Sequence, residues 1–257
     1  MPRAAVIAER LDALLHTTEI PDYPGALNGL QFASRGEVRR VATAVDFSSH
    51  TVRETVAARA QMLLVHHGMF WGGLQPVTGL TYERYLDLVS HDVAVYSTHL
   101  PLDMHPELGN NALLARRLGL EPAAGFARYK TVDVGLSGAA DLETRTLVDR
   151  ARQLAREAAG EVVVTPFTGD RRTRRWAICT GAGADSETIR EAAERGIDTM
   201  VVGEGPHHTA VQARDLGIVV VYAGHYATET LGIRALGEYV AREFGIEAQF
   251  LDAPTGL

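Results

Sequence analysis

A chain of 257 residues with 25 Lys+Arg against 32 Asp+Glu carries a formal charge of -7. That length supports a substantial core without staples, as one large α/β domain or two smaller ones, and the acidic balance argues against a general electrostatic grip on nucleic acid. The single cysteine rules out a disulfide framework, no stretch reaches the roughly 18 apolar residues of a membrane span, and Glu9 and Arg10 interrupt the first apolar run too early for a signal peptide, so a cytoplasmic protein is expected.

Ile7, Leu11, Leu14 and Leu15 share one helical face, and the helix they define ends before Pro21, where a Pro/Gly loop runs to Gly29. Val41–Val45 reads as a strand and Ser48-Ser49 as the cap of a helix from about Thr51 to Ala60. The apolar run Met62-Leu63-Leu64-Val65 reads as a buried parallel strand, with His66 and His67 at its carboxyl end, the edge where open α/β sheets bind ligands. A helix over Tyr82–Val89, a strand Val93–Tyr96 and a helix Pro106–Leu118 follow.

Small residues near Pro122–Gly125 mark a domain boundary, giving domains 1–126, with His66, His67 and Asp103, and 127–257, with His225 and Glu229. The last helix and strand are expected to pack back on the first domain. Val132, Val134 and Leu136 alternate as a half-exposed strand, and a helix Leu142–Ala159 and a strand Val162–Thr165 come next. The run Arg171–Arg175 reads as a solvated turn. Strands at Trp176–Thr180, Met200–Val202 and Val219–Tyr222 then alternate with helices Ser186–Arg195, His207–Leu216 and Ala227–Phe244, before an edge strand Ala248–Leu251. Gly181-Ala182-Gly183 lacks the third glycine of a dinucleotide fingerprint and reads as a turn before a helix cap, and Cys179 reads as a core thiol.

The halves resemble each other. At an offset of 137 positions Val65-His66-His67-Gly68 lies over Val202-Gly203-Glu204-Gly205, and at 126 Tyr96-Ser97-Thr98-His99 lies over Tyr222-Ala223-Gly224-His225, each with a carboxylate four residues later, Asp103 and Glu229. The fold class is therefore α/β, two similar three-layer domains related by internal duplication. Four polar clusters fall at predicted strand ends: His66-His67, His99 with Asp103, Glu204, and His225 with Glu229. Alone, His225 and Glu229 read as an ion pair one helical turn apart; convergence of the four favours metal binding. Imidazole with carboxylate and no thiolate suits Zn, Mn, Fe or Co.

With Gly109-Asn110-Asn111 and Asn28-Gly29-Leu30-Gln31, these motifs resemble the Nif-three-like dinuclear metal proteins, many of them called GTP cyclohydrolase 1 type 2 homologues. The resemblance implies two divalent metal ions per chain, held by His66, His67, Asp103, His225 and Glu229, and a ring-shaped homo-oligomer, commonly a hexamer. Gly68 stands where relatives often carry proline, and is expected to loosen that loop without removing a ligand. Two ions close together suit hydrolysis, so the expected function is hydrolysis of a nucleotide or related small phosphate compound. The alternative is a non-catalytic metal-binding scaffold, metallochaperone or regulatory protein. His99 and Glu204 are left as proton-moving groups or as hydrogen-bond partners that orient the ligands, and His207-His208 as an extension or lining of the site.

Overall fold

The computed structural model describes residues 1–257. In chain order its elements are α1 (Ala4–Leu15), β1 (Gly29–Phe32), β2 (Arg40–Asp46), α2 (Ser49–Ala57), β3 (Met62–His67), α3 (Gly79–Ser90), β4 (Ala94–Ser97), the single turn α4 (Leu100–Asp103) and α5 (Asn110–Leu118). There follow β5 (Ala124–Tyr129), β6 (Val132–Glu143), α6 (Thr144–Glu157), β7 (Val163–Val164), β8 (Arg172–Cys179), α7 (Ser186–Glu194) and β9 (Thr199–Val202). The chain ends with α8 (His207–Asp215), β10 (Val219–Tyr222), α9 (His225–Phe244) and β11 (Glu247–Phe250). No helix is long and apolar enough to cross a membrane.

Two compact units result, Met1–Leu102 with Gly232–Ala253, and Asp103–Leu231 with Pro254–Leu257. Residues 103–126 thus fall in the second unit, where the sequence places a boundary near 126. The reason is packing: Leu114, Ala115 and Leu118 of α5 share a core with Leu147, Val148 and Ala151 of α6 and with Trp176 of β8. The later part of α9 and β11 belong to the first unit, β11 pairing parallel with β2.

Each unit is a three-layer α/β arrangement. In the first, the sheet order is β1-β4-β3-β2-β11. Alternate residues Ala42, Ala44, Leu63, Val65 and Val95 pack with Val52 of α2 and Leu88 of α3. The opposite face meets α1, where the Tyr96 hydroxyl donates to Asp12 at 2.9 Å, and α9, where Gly237 lets the helix close on Thr43. In the second, ordered β5-β6-β8-β9-β10-β7, Trp176, Ile178, Val201 and Val221 face α5 and α6, while Ala177, Met200, Val202 and Val220 face Ile189 of α7 and Ala213 of α8.

Duplication is visible in the connections. The series β1-β4-β3-β2 and β7-β10-β9-β8 have the same plan, three parallel strands with an antiparallel one beside the third. It extends to the amino-terminal edge of the strands. Gln61 Oε1 accepts the backbone N–H groups of Arg39 and Arg40 at 2.9 and 3.1 Å, and Asp198 Oδ2 those of Arg174 and Arg175 at 2.9 and 2.8 Å. Gln61 and Asp198 stand 137 positions apart, the offset that aligns the histidine pair with Glu204.

Four strands depart from expectation. The arginine run is not a turn: from Arg172 onward it is strand β8, whose buried Thr173 alternates with exposed neighbours, and Arg172 pairs with Asp141. β6 continues to Glu143, two residues into the expected helix, because the alternating burial started by Val134 and Leu136 persists along the strand. β1 and β5 carry no continuous apolar run and escape detection; both lie at or near sheet edges.

The core under the histidines yields a stability test. Leu63, fully buried in β3, is expected to cost about 2–5 kcal/mol on Leu63→Ala, whereas Leu80→Ala at the exposed start of α3 should stay within about 0.5 kcal/mol. Denaturant unfolding of both variants measures the contrast.

Candidate functional site

Strand β3 is buried along its whole length, so its last two residues are drawn into the protein as part of the ladder. His66, His67 and His99 are 0%, 6% and 7% exposed. Their ring centroids lie 4.9 Å (66 to 67), 4.9 Å (66 to 99) and 5.5 Å (67 to 99) apart, and one potential ligand nitrogen from each lies within 4.8 Å of the others. The sequence places His99 in a separate cluster with Asp103; the structure of the first unit places it with the histidine pair.

Each ring has its Nδ1 against an acceptor. His66 Nδ1 is 2.9 Å from the Thr98 carbonyl, His67 Nδ1 2.9 Å from Asp46 Oδ1, and His99 Nδ1 2.8 Å from Asp22 Oδ1. A carbonyl or carboxylate oxygen can only accept, so Nδ1 must carry the proton, and in the neutral ring the lone pair is then on Nε2. Register explains Asp46: it ends β2 directly opposite His67. Asp22 comes from the loop before β1 and is held by Asn28 Nδ2 at 2.8 Å and the Leu100 N–H at 2.9 Å, while Asn28 Oδ1 accepts the His99 N–H at 2.8 Å. Burial pushes the Asp22 carboxyl up, but the hydrogen bond and charge of His99, with Asn28 and the Tyr23 N–H, outweigh it and hold the pKa below the usual carboxylate range.

The turn after the pair is not loose. Gln31 accepts the Met69 N–H at 2.7 Å and donates to the Ala26 and Leu27 carbonyls, both at 3.0 Å, and a side chain at Gly68 would collide with Gln31 and Ser97. Glycine here permits close packing, so the expected loosening is corrected.

The second unit gathers carboxylates around the Thr180-Gly181 turn that follows β8. Asp103, 5% exposed, accepts from Asn110 Nδ2 at 2.8 Å and from Thr180 Oγ1 at 3.3 Å, and Asn111 Oδ1 accepts the Thr180 N–H at 3.0 Å. Gly181, at φ +62°, has no room for a Cβ because Glu229 and His225 Nε2 lie there. His225 opens α9 with Nδ1 2.8 Å from Glu204 Oε1 and Nε2 3.1 Å from Glu229 Oε2, one turn along. That N···O separation suits two ligands on one ion, since each bond to zinc would be about 2.0–2.2 Å. Burial lowers the His225 pKa, but the hydrogen bonds and charges of Glu229 and Glu204 prevail and raise it to about 9.

The remaining residues stand apart. His207 and His208 are exposed and line a separate open groove of about 650 Å³ with Arg190, Gln212 and Asp215. Asp185 caps α7 by accepting the Glu187 and Thr188 N–H groups, which accounts for the Gly181–Ser186 stretch as a turn and cap. Cys179 is a buried thiol, as expected, and its pKa is pushed well up, first by burial and then by the charge of Asp103. Asp22 and Asp46 are functional candidates that sequence reasoning missed; Asp46 was detectable as a carboxylate ending the strand before the histidine strand.

The family model for Duf34/NIF3 (NGG1p interacting factor 3) matches residues 3–255. A Pyrococcus abyssi protein named GTP cyclohydrolase 1 type 2 homolog is 40% identical over 251 residues, covering 98% of each chain. Among solved structures, the protein ybgI, titled as of unknown function, is similar with TM-score 0.88 and 32% identity, covering 99% of this chain and 100% of its own. The Thermus thermophilus protein TTHA1606 is similar with TM-score 0.84 and 32% identity, covering 98% of each chain.

Two outcomes follow from the second unit. Cys179 should ignore a thiol reagent at pH 8 until the chain is unfolded, because a buried thiol with a raised pKa supplies almost no thiolate; rapid native labelling would contradict this. Gly181→Ala should cost roughly 1–3 kcal/mol in chemical unfolding, from the left-handed backbone and the collision with Glu229.

Proposed function

Because the chain belongs to the Duf34/NIF3 family, we propose that it binds two divalent metal ions and uses them to hydrolyse a nucleotide or related small phosphate compound. The ligands in this reading are His66, His67, Asp103, His225 and Glu229, and His99 joins them through its place beside the histidine pair. The observation that carries it is the acceptor on every Nδ1: Thr98, Asp46, Asp22 and Glu204 fix the four rings so that Nε2 is the coordinating nitrogen. Buried imidazoles and carboxylates fit Zn, Mn, Fe or Co. When bound, such ions supply Lewis acidity and acidify coordinated water. The chain's own residues hold and orient: Asn110 and Thr180 fix one Asp103 oxygen, and Glu204 keeps the proton on His225 Nδ1. Nucleotides are chosen because relatives bear the name GTP cyclohydrolase 1 type 2 homolog.

We also propose that copies of this chain assemble, as a hexameric ring. Support comes from the outward face of α3, where Tyr82, Leu86 and Val89 recur at i, i+4 and i+7 and are 51%, 44% and 66% exposed.

Elemental analysis of protein purified without chelator should find about two divalent ions per chain, with Asp103→Ala and His67→Ala losing both metal and metal-dependent turnover of nucleotides. Asp46→Asn should keep the fold and weaken metal affinity about 10- to 100-fold. Ions retained with no turnover of nucleotides or phosphoesters would replace the hydrolase by a metal-binding scaffold. Separately, Leu86→Glu should lower the assembly state seen by sedimentation without unfolding the chain.

A further inference from the structure

The turn that follows the histidine pair carries Trp71, and the loop that supplies Asp22 carries Tyr23. The Trp71 ring lies 4.6 Å from the His67 ring at 38° and 4.6 Å from the His99 ring at 62°; Tyr23 lies 6.4 Å from Trp71 at 79° and 5.9 Å from His99. The histidines are buried, yet Trp71 is 41% and Tyr23 49% exposed. Isolated exposed aromatics are ordinary, but these two touch one another and the same polar cluster.

Their positions are built in. Gly25 is the contact point of the two loops: a Cβ there would lie 2.9 Å from the Trp71 carbonyl oxygen and 3.2 Å from that of Phe70. Gln31 ties the same loops together, accepting from Met69 and donating to Ala26 and Leu27. The Trp71 indole is a donor only and has no lone pair to offer an ion of the proposed kind. Indole and phenol set nearly at right angles form a corner that offers one π-face and one edge, and such faces accept flat rings of any base by stacking.

We propose that Trp71 and Tyr23 form a stacking platform for a planar heteroaromatic ring, the base of a nucleotide, placed beside the histidine cluster of the first unit. The class of ligand rests on the nucleotide reading above; the stacking itself does not depend on turnover. Because stacking strength follows ring area, purine nucleotides bind more tightly here than pyrimidine ones.

The chain has two tryptophans, and Trp176 is fully buried, so ligand-induced change in intrinsic fluorescence reports on Trp71. Metal-loaded and chelator-treated wild type are titrated with GTP, ATP, UTP and inorganic triphosphate. Both purine nucleotides should quench in both forms, UTP more weakly, and triphosphate not at all. By calorimetry Trp71→Ala should weaken GTP binding roughly tenfold and Tyr23→Ala by less, with Trp71→Phe restoring most of the loss. Triphosphate matching GTP in affinity, or Trp71→Ala binding GTP as wild type does, would overturn the proposal. Stacking without turnover of any nucleotide would instead refute the hydrolase and leave the platform standing, and turnover with unchanged affinity in Trp71→Ala would do the reverse.

Discussion

An imidazole has two nitrogens, and the arrangement of this protein depends on one of them being committed. At His66, His67, His99 and His225 the Nδ1 atom sits 2.8–2.9 Å from an oxygen that can only accept. The proton is thereby assigned, the ring plane is fixed, and the remaining nitrogen points where the fold directs it. His66, His67 and His99 are buried and His225 partly so, and burying such rings without those acceptors would cost the desolvation of each unsatisfied group. The acceptors therefore serve stability and, in the proposed metal-binding reading, also orient the ligating nitrogens, so that removing one should be felt in metal affinity as well.

The duplicated scaffold arrives at this arrangement by two routes. His99 and His225 are equivalent residues at the ends of β4 and β10, and each has a carboxylate 2.8 Å from Nδ1. In the second unit that carboxylate is Glu204, at the end of β9. In the first unit the position equivalent to Glu204 is His67, and the carboxylate for His99 comes instead from Asp22, in the loop before β1. Recruiting Asp22 releases a strand-end position for a further imidazole, and β2 then contributes Asp46 to orient it. One unit thus became rich in imidazole and the other in carboxylate, although both retain the same strand plan and the same side-chain clasp at Gln61 and Asp198.

Much of this was legible in the amino-acid order. Four-residue apolar runs such as Met62–Val65 and Val219–Tyr222 announce parallel strands because both faces are covered, and the histidines at their ends follow from that placement. The repeat was visible because residue types match at equivalent strand ends, and also in the helices before them, where Val52-Arg53-Glu54 lies over Ile189-Arg190-Glu191. What escaped depends on contacts distant in sequence. β1 is a strand only because β4 lies beside it, and Asp22 matters only because the loop carrying it returns to His99, 77 positions later. The arginine run was read by charge, whereas the buried Thr173 in its midst shows that the backbone had already joined the sheet. Asp103 looked like part of the first half by position, yet Asn110, Asn111 and Thr180 hold it in the second.

The most direct test is histidine-selective nitrogen NMR on the zinc-loaded protein. The account predicts protons on Nδ1 of His66, His67, His99 and His225 with zinc-induced shifts at Nε2, while His105, whose Nδ1 accepts the Glu107 and Leu108 N–H groups, shows the opposite tautomer as an internal control. Protons on Nε2 of the four rings, or zinc shifts confined to Nδ1, would contradict it.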